Sequence, residues 1–476
     1  MTLGFAYIAT GDASKARKKN SSFEARRAAF DLAMLDTKQN VPEVQPLRKR
    51  ISHDLRYRIW FVYRRIFSLV WLANIAVLIA FFVAPIDRTW LTTIALINLT
   101  ISIVIRQDFI INLIFTICCA VPLSWPLPIR RRLAQVYHLG GIHSGCATAT
   151  VCWFAGSFAY SIRNRVHGHS LHIPSIATII LSGIALAMLI GMVISAYPTL
   201  RRLYHDSFEA VHRFFGWSVL LLVWVQVMLT VRDNKPAHQS LGQTVVGSPE
   251  LWLLIIITTS IATSWTLLKK VPVDSEILSD HALRLHFQYT NAKRGSFIRL
   301  SERPLLEWHS FATIPIVASE DKKRGCSVIV SRAGDWTSRQ ISKPPTRIWV
   351  RGIPTMGVMR VASLFRSVVL IGTGSGIGPL LGHIPPSRIR LIWSTPNPLQ
   401  TFGQGIMDSV YKADPEAVVW NTRENGRPDL VEIASRAMQE IDAEALVIIS
   451  NETVTRLVVG AMERKGVPAF GAIWDS

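Results

Sequence analysis

The sequence is poor in acidic residues and in cysteine. Its 476 residues carry 32 Asp and Glu against 52 Lys and Arg, a formal net charge of +20. Only five cysteines occur, at 118, 119, 146, 152 and 326, and none has CxxC spacing. Four lie in apolar stretches and read as small core residues, which excludes a disulfide framework and a thiolate zinc site. No apolar stretch follows the basic residues 15–20, so no signal peptide is expected. Mean hydropathy is nevertheless positive, +0.28, and the apolar residues gather in the first 270 positions. Residues 1–65 hold fourteen Lys and Arg against six Asp and Glu. Basic clusters beside apolar runs mark the inner ends of membrane spans and argue against nucleic-acid binding.

The pattern predicts a basic cytosolic tail over 1–55, with a short helix from Phe23 to Leu35, and a transmembrane helical domain over 56–270. Six spans are expected: 66–84, 90–105, 133–160, 174–197, 208–231 and 251–268, with both termini cytosolic. The run 109–123 is too short to span between Arg106 and Arg130-Arg131-Arg132, so it is expected to be re-entrant or interfacial. From Val273 the period changes to two. Strands are predicted at 283–289, 297–300, 326–330 and 348–350, as in a small antiparallel barrel over 271–362. Over 363–476 strands alternate with helices: strands at 367–371, 389–393, 417–420 and 445–449, helices near 404–412, 429–440 and 453–465. That is an α/β domain on a parallel sheet.

The stretch from Val368 to Pro379 joins an apolar strand to Gly372-Thr373-Gly374-Ser375-Gly376-Ile377-Gly378. Such a turn lets a pyrophosphate approach the backbone, and by itself it is equally a tight loop. No acidic residue follows Trp393 to hold a ribose hydroxyl; Ser394, Thr395 and Arg423 stand there instead, which leans to NADPH over NADH.

A membrane helical domain, a barrel and a glycine-turn domain in that order resemble the ferric reductase and NADPH oxidase superfamily, most closely the fungal integral membrane flavoproteins of the TmpA type. Four motifs over residues 60–476 carry the resemblance. The segment 307–313, with His309, Ser310 and Phe311, resembles the family's His-Pro-Phe-Thr flavin motif. Arg332-Ala333-Gly334-Asp335-Trp336-Thr337 resembles its Gly-x-Trp-Thr phosphate motif. The glycine turn resembles its nucleotide loop, and Gly426-Arg427-Pro428 its Gly-Arg-Pro motif. The resemblance implies a membrane-bound FAD-dependent oxidoreductase taking electrons from cytosolic NADPH or NADH. The acceptor is an unidentified small molecule, in a setting of fungal development or secondary metabolism. The alternative is a degenerate reductase acting as a membrane sensor of redox or nucleotide state. His309, Ser310, Phe311 and a hydroxyl would contact flavin. By the family pattern that hydroxyl would be at Ala312, which has none; Thr313, one step on, faces the other side of a regular strand and would serve through a bulge. Arg332, Gly334, Trp336 and Thr337 would hold the FAD pyrophosphate. Gly372, Thr373, Gly374, Ser375, Gly376, Gly378 and Arg427 would hold the nucleotide, and Trp474 would stack on the flavin. The family's Cys-Gly near the nicotinamide is replaced by Ser450-Asn451.

The family also carries two haems, whose paired histidines on one helix lie roughly 14 residues, about four turns, apart. His138, His143 and His212 are the candidates, and the positions fourteen further on are Cys152, Ser157 and Gln226. At most one haem is therefore expected, near the inner face, and none is the alternative. His143 lies eleven residues past Arg132 and His212 ten past Arg202, so both are about 15 Å deep at ~1.5 Å per residue. Gly140-Gly141 and Gly216 would leave room beside the rings.

Overall fold

The computed structural model describes residues 61–84, 87, 89–167, 173–316 and 325–472. The tail, the 23–35 helix and Trp474 lie outside them.

The first half is helical: α1 Val62–Val83, α2 Trp90–Val104, α3 Asp108–Cys119, α4 Leu127–Leu133, α5 Gly140–His167, α6 Ile176–Ser195, α7 Pro198–Leu203, α8 His205–Asp233, α9 Leu241–Gly247 and α10 Pro249–Thr266. Helices thus stand at all six expected spans. Among the described residues three are long and apolar enough to cross a membrane, α1, α6 and α8. The number rises to five if the bent pairs α2–α3 (69°) and α9–α10 (66°) each count as one. Helix α5 packs against α1, α2 and α6, while α8 packs on α6 and α10 on α2. Within the bundle Asn74 and Asn98 exchange amide hydrogen bonds at 3.2 and 3.0 Å, and Trp153 Nε1 donates to Asn74 Oδ1 at 2.7 Å. Paired amides of this kind lock helices that apolar side chains alone leave free to slide. Gly141 sits where a Cβ would strike the Tyr63 carbonyl, and Gly145 where it would touch Val70. Gly141 therefore serves the close approach of α1, a correction to the expectation that it makes room for a macrocycle.

The barrel has two four-stranded sheets, β1-β8-β4-β5 and β2-β3-β7-β6. Its strands are β1 Lys269–Pro272, β2 Asp274–Ile277, β3 Ala282–Phe287, β4 Ser296–Ser301, β5 His309–Ala312, β6 Ile314–Ile316, β7 Gly325–Ser331 and β8 Arg347–Met356. All pair antiparallel, and α11, Asp335–Ser342, covers one side. Leu283, Leu285, Leu300, Val328 and Val330 fill the interior.

The last domain is a five-stranded parallel sheet in the order β11-β10-β9-β12-β13. The strands are β9 Ser367–Thr373, β10 Arg388–Thr395, β11 Val418–Asn421, β12 Ala445–Ile449 and β13 Ala469–Gly471. The chain winds outward from β9 to β11, then returns to add β12 on the other side of β9. The carboxyl ends of β9 and β12 therefore form the topological switch point, where open α/β sheets bind ligands. The helices are α12 Ile377–Gly382, α13 Pro398–Phe402, α14 Gln404–Ala413, α15 Thr422–Asn425, α16 Leu430–Glu440 and α17 Glu452–Arg464.

Two stretches read from the sequence as membrane-flanking find protein partners at the joint between the halves. Helix α3, expected to be re-entrant or interfacial, bends 69° from α2. Its Phe115 and Cys119 are buried in the core of the last domain, with Ile111 and Ile114 packed against it. Its opposite face keeps Phe109, Leu113 and Ile117 exposed at a four-residue spacing. The helix has two apolar faces, and a hydropathy reading cannot tell docking from lipid contact.

Arg130 belongs to the triplet read as a cytosolic charge cluster, yet it is 2 % exposed. Its guanidinium grips Glu444 in a fork, Nη1–Oε2 2.8 Å and Nη2–Oε1 2.9 Å. It also donates to the carbonyls of Trp125 and Leu364. Arg366 completes the joint, its backbone N–H on Glu444 and its side chain on the Leu123 carbonyl. The Arg130 hydrogen bonds hold the Glu444 carboxyl below its usual range. A depressed carboxylate stabilises the fold above the ordinary value, and that contribution is lost as pH falls through the lowered one.

Replacing Glu444 by Ala strands a buried guanidinium. It should destabilise the docked arrangement by about 2–4 kcal/mol, the range for breaking a buried pair reduced for the carboxylate's partial exposure. Thermal melts of the detergent-solubilised chain should show this, and acid should depress the melt of Glu444→Gln less than that of the wild type. Equal acid sensitivity would contradict the assigned role.

Candidate functional site

On β5 the register pairs Leu300 with His309 and Ile298 with Phe311. His309 and Phe311 therefore face inward and Ser310 outward, where it is exposed. Both inward rings lie nearly parallel to Trp336 of α11, with centroids 4.3 Å apart at 26° for His309 and 5.6 Å at 28° for Phe311. Burial lowers the His309 pKa, opposed by Glu307, whose Oε2 is 3.7 Å from Nε2. Around this stack His309 Nε2, Trp336 Nε1, Glu307 Oε1 and both amide atoms of Gln340 are buried without a hydrogen-bond partner. Trp336 and Gln340 are 5 % and 0 % exposed. Orphaned polar atoms in that number are costly in a finished core and mark a place that accepts a polar ligand.

The flavin-side hydroxyl is not where the sequence puts it. Thr313 falls at the corner where the chain leaves one sheet for the other. It is fully buried. Its Oγ1 bonds the Ser296 carbonyl at 3.0 Å and the Ser296 hydroxyl at 2.9 Å. Thr313 is thus a corner residue of the barrel. Thr337 is also reassigned: its Oγ1 accepts from the amides of Ala333 (2.9 Å) and Gly334 (3.0 Å) and donates to the Gly334 carbonyl. All three hydrogen-bonding capacities of the hydroxyl are used in the cap. Arg332 is held by the Asp280 carbonyl through Nε and Nη2. The groups left for a pyrophosphate are the first-turn amides of α11, which have no partner inside the helix.

The glycine turn packs on this barrel. Gly374–Gly376 abuts β7, α12 abuts β5 and β6, and the Gly382 carbonyl accepts from the Gly295 amide at 3.0 Å. Its glycines have different jobs. A Cβ on Gly376 would strike the Ile449 carbonyl, and one on Gly372 would crowd Leu380 and Gly376 itself. These serve the fold and not a ligand. Gly374 has φ +52° and open space around it. Trp393 pins the turn by donating Nε1 to the Gly374 carbonyl at 2.9 Å. Across the switch point the hydroxyls of Thr373 and Ser450 are 2.7 Å apart. Ser375 is exposed and Gly378 lies beside Ile329 at ordinary contact distance. Arg427 is exposed beyond β11, after Gly426, whose carbonyl accepts from Trp420 Nε1. Ser394 and Thr395 are buried; Arg423 is exposed.

In the bundle the imidazoles of His143 and His212 face each other with centroids 6.3 Å apart. Their planes are inclined at 58°. His143 Nδ1 lies 2.9 Å from the Ser102 carbonyl, while His212 Nδ1 is buried without a partner. A ring N–H held by a backbone carbonyl fixes the tautomer and orientation of a histidine. His138 is elsewhere, stacked on Tyr137 at 4.3 Å and edge-on to Phe61 at 4.8 Å. Among the described residues no cluster of three or more His, Cys, Asp or Glu could hold a bare metal ion.

Sequence reasoning missed the residues that bring these parts together. Asp108 pairs with Arg299 at 2.7 Å beside Gly352, which leaves space for the carboxylate. Arg351 lies between Trp265, at the end of α10, and Trp308, just before β5, at 5.2 and 4.9 Å. Burial, with the Arg299 charge, lowers the Arg351 pKa to about 10. Trp308 and Arg299 fall inside a motif and a predicted strand, but no pattern in the sequence signals these pairings.

The family described as Adenylate-forming reductase 03009, C-terminal domain, matches residues 358–476. Two relatives from Coprinopsis cinerea, Adenylate-forming reductases 03009 and 06235, are 46 % and 45 % identical over 430 and 431 residues. Each match covers 90 % of this chain and 41 % of the relative, so the chain spans about two fifths of their length. A Neisseria gonorrhoeae ferredoxin NADP+ reductase with bound FAD and NADP aligns over 43 % of this chain and 98 % of its own, at 13 % identity and TM-score 0.34. A Malassezia yamatoensis flavohemoglobin with bound FAD and heme aligns over 80 % and 98 %, at 15 % and 0.37.

The two glycines separate fold from ligand. Gly376→Ala should lower the melting temperature, because backbone must move. Gly374→Ala should cost only about 1–2 kcal/mol for its left-handed conformation and should weaken NADPH binding, measured by titration. Equal effects of the two variants on the melt would contradict the assignment.

Proposed function

We propose that the chain is a membrane-bound, FAD-dependent oxidoreductase that draws electrons from cytosolic NAD(P)H for an unidentified small-molecule acceptor. The orphaned polar atoms around the His309–Trp336 stack, next to a switch-point turn, are the observation that carries this reading. The reductase names of the relatives support it. FAD would supply the conversion of a hydride's electron pair into single electrons. The chain's own part is to bind and orient. The stack offers a flat apolar wall, the α11 amides offer donors to a diphosphate, and Gly374 lets a dinucleotide approach β9. NADPH is favoured over NADH by the exposed Arg423 and the lack of an acidic residue after Trp393.

The membrane reading, six spans with both termini in the cytosol, rests on the apolar side chains exposed along α1 and α6, such as Leu69, Leu72, Ile176, Ile180 and Ile184. It agrees with the sequence resemblance to the ferric reductase and NADPH oxidase superfamily. His143 and His212 would hold a single haem near the inner face. A second reading, a degenerate reductase that senses nucleotide or redox state, is favoured by one observation: no hydroxyl on or beside β5 faces inward to fix a flavin, since Ser310 points outward, Ala312 has none and that of Thr313 is spent.

A dithionite-reduced minus oxidised spectrum of the purified chain tests the haem site. One b-type haem per chain is expected, lost in His143→Ala and in His212→Ala and kept in His138→Ala. Two haems, or one that survives His212→Ala, would refute the ligand assignment.

A further inference from the structure

The bend between α2 and α3 sets Arg106 between the two halves of the site. Arg106 stands four residues after Ser102, on the same side of the helix. The Ser102 hydroxyl and carbonyl lie 3.0 and 2.9 Å from His143 Nδ1. Two residues after Arg106, Asp108 opens α3 and pairs with Arg299 of β4 at 2.7 Å. The Asp108 carboxylate also lies against Gly352, the residue next to Arg351 of β8. Arg106 is thereby held between the histidine pair of the bundle and the strands of the barrel. Its charge reaches both His143 and His212.

The carboxylates of this layer are already taken. Asp108 is bound to Arg299, and Glu209 lies 3.6 Å from Arg213. Arg351 faces two indoles, and its Nε is buried without a partner. The guanidinium of Arg106 makes no hydrogen bond or ion pair among the described residues. Arg106 is exposed by surface area, yet burial is the largest cause lowering its pKa, and the Arg299 charge adds to it. Both hold for a group that lines a space enclosed by protein. A cation enclosed beside other cations is costly unless an anion joins it.

On the single-haem reading above, we propose that Arg106 binds a carboxylate of the tetrapyrrole held at His143 and His212. A guanidinium fork matches the two oxygens of a carboxylate. Haem carries two carboxylate side chains on one edge of an otherwise apolar ring. The apolar ring suits the helices of the bundle, and the carboxylate edge calls for a cation. The FAD diphosphate has donors of its own at the start of α11, so the unanswered charge at Arg106 is left for the tetrapyrrole. Binding there turns the carboxylate edge toward the barrel and fixes the rotation of the ring about the axis between the two imidazoles. Arg106 is thus a positioning residue and not a ligand of the iron.

The test uses the full chain, purified free of haem in neutral detergent and titrated with haemin and with haemin dimethyl ester, whose carboxylates are blocked. The chain should bind haemin about tenfold or more tightly than the ester, the ratio for one charge-assisted hydrogen bond. Arg106→Gln should bring that ratio close to one by weakening haemin and leaving the ester unchanged. Arg106→Lys, which keeps the charge, should retain a preference for haemin. Binding of neither porphyrin by the wild type overturns this proposal together with the haem reading. Equal wild-type binding of haemin and its ester, or a preference that survives Arg106→Gln, overturns this proposal alone and leaves the histidine ligands standing. Loss of both porphyrins by the same factor in Arg106→Gln marks a folding role and also overturns it.

Discussion

The fork between Arg130 and Glu444 is the constraint that the other features depend on. It joins the polypeptide just before α5 to the loop just before β12, residues 314 positions apart. Buried ion pairs add little net stability, since desolvation cancels most of the attraction, but breaking one is expensive. Such a pair therefore selects one docking geometry more than it strengthens it. Asp108–Arg299 and the Trp265–Arg351–Trp308 sandwich act on the barrel side of the same joint. Together they hold the strand with His309 beside the bundle that contains His143 and His212.

That arrangement gives a physical order to the site. Trp308 is adjacent in sequence to His309, and Trp265 lies 5.8 Å from Trp217, five residues on from His212. The aromatic groups of barrel and bundle thus meet at the joint. The glycine turn is fixed from below by packing against Ile449 and from above by Trp393, leaving Gly374 as its open point. A dinucleotide reaching β9 from that side would meet the barrel wall that bears the Trp336 stack.

Much of the fold was legible in the sequence because it rests on periodicity. Alternation located β3, β4, β7 and β8, and the glycine turn located β9 to within two residues. Other features were hidden because two physical situations share one sequence pattern. An arginine at the end of a span reads the same whether it meets headgroups or, as Arg130 does, a buried glutamate. An apolar run of twelve residues reads the same whether it lies in lipid or, as α3 does, shows one face to a protein core. Strand alternation put Thr313 on the wrong side for a flavin but could not show that the chain changes sheets there. The Gly-Asp-Trp-Thr motif was legible, yet the work of its threonine, capping α11, follows only from the loop geometry. His143 and His212 were placed level by counting turns, and counting says nothing of rotation about the helix axis.

The central claim is that residues 269–472 form a working flavin and nucleotide site. Anaerobic addition of NADPH to the purified full chain, followed by acid release of its flavin, tests it most directly. The account predicts yellow protein that NADPH bleaches and that releases FAD in about equal amount to chain. Colourless protein with no releasable FAD, after purification in the presence of added FAD, would contradict it.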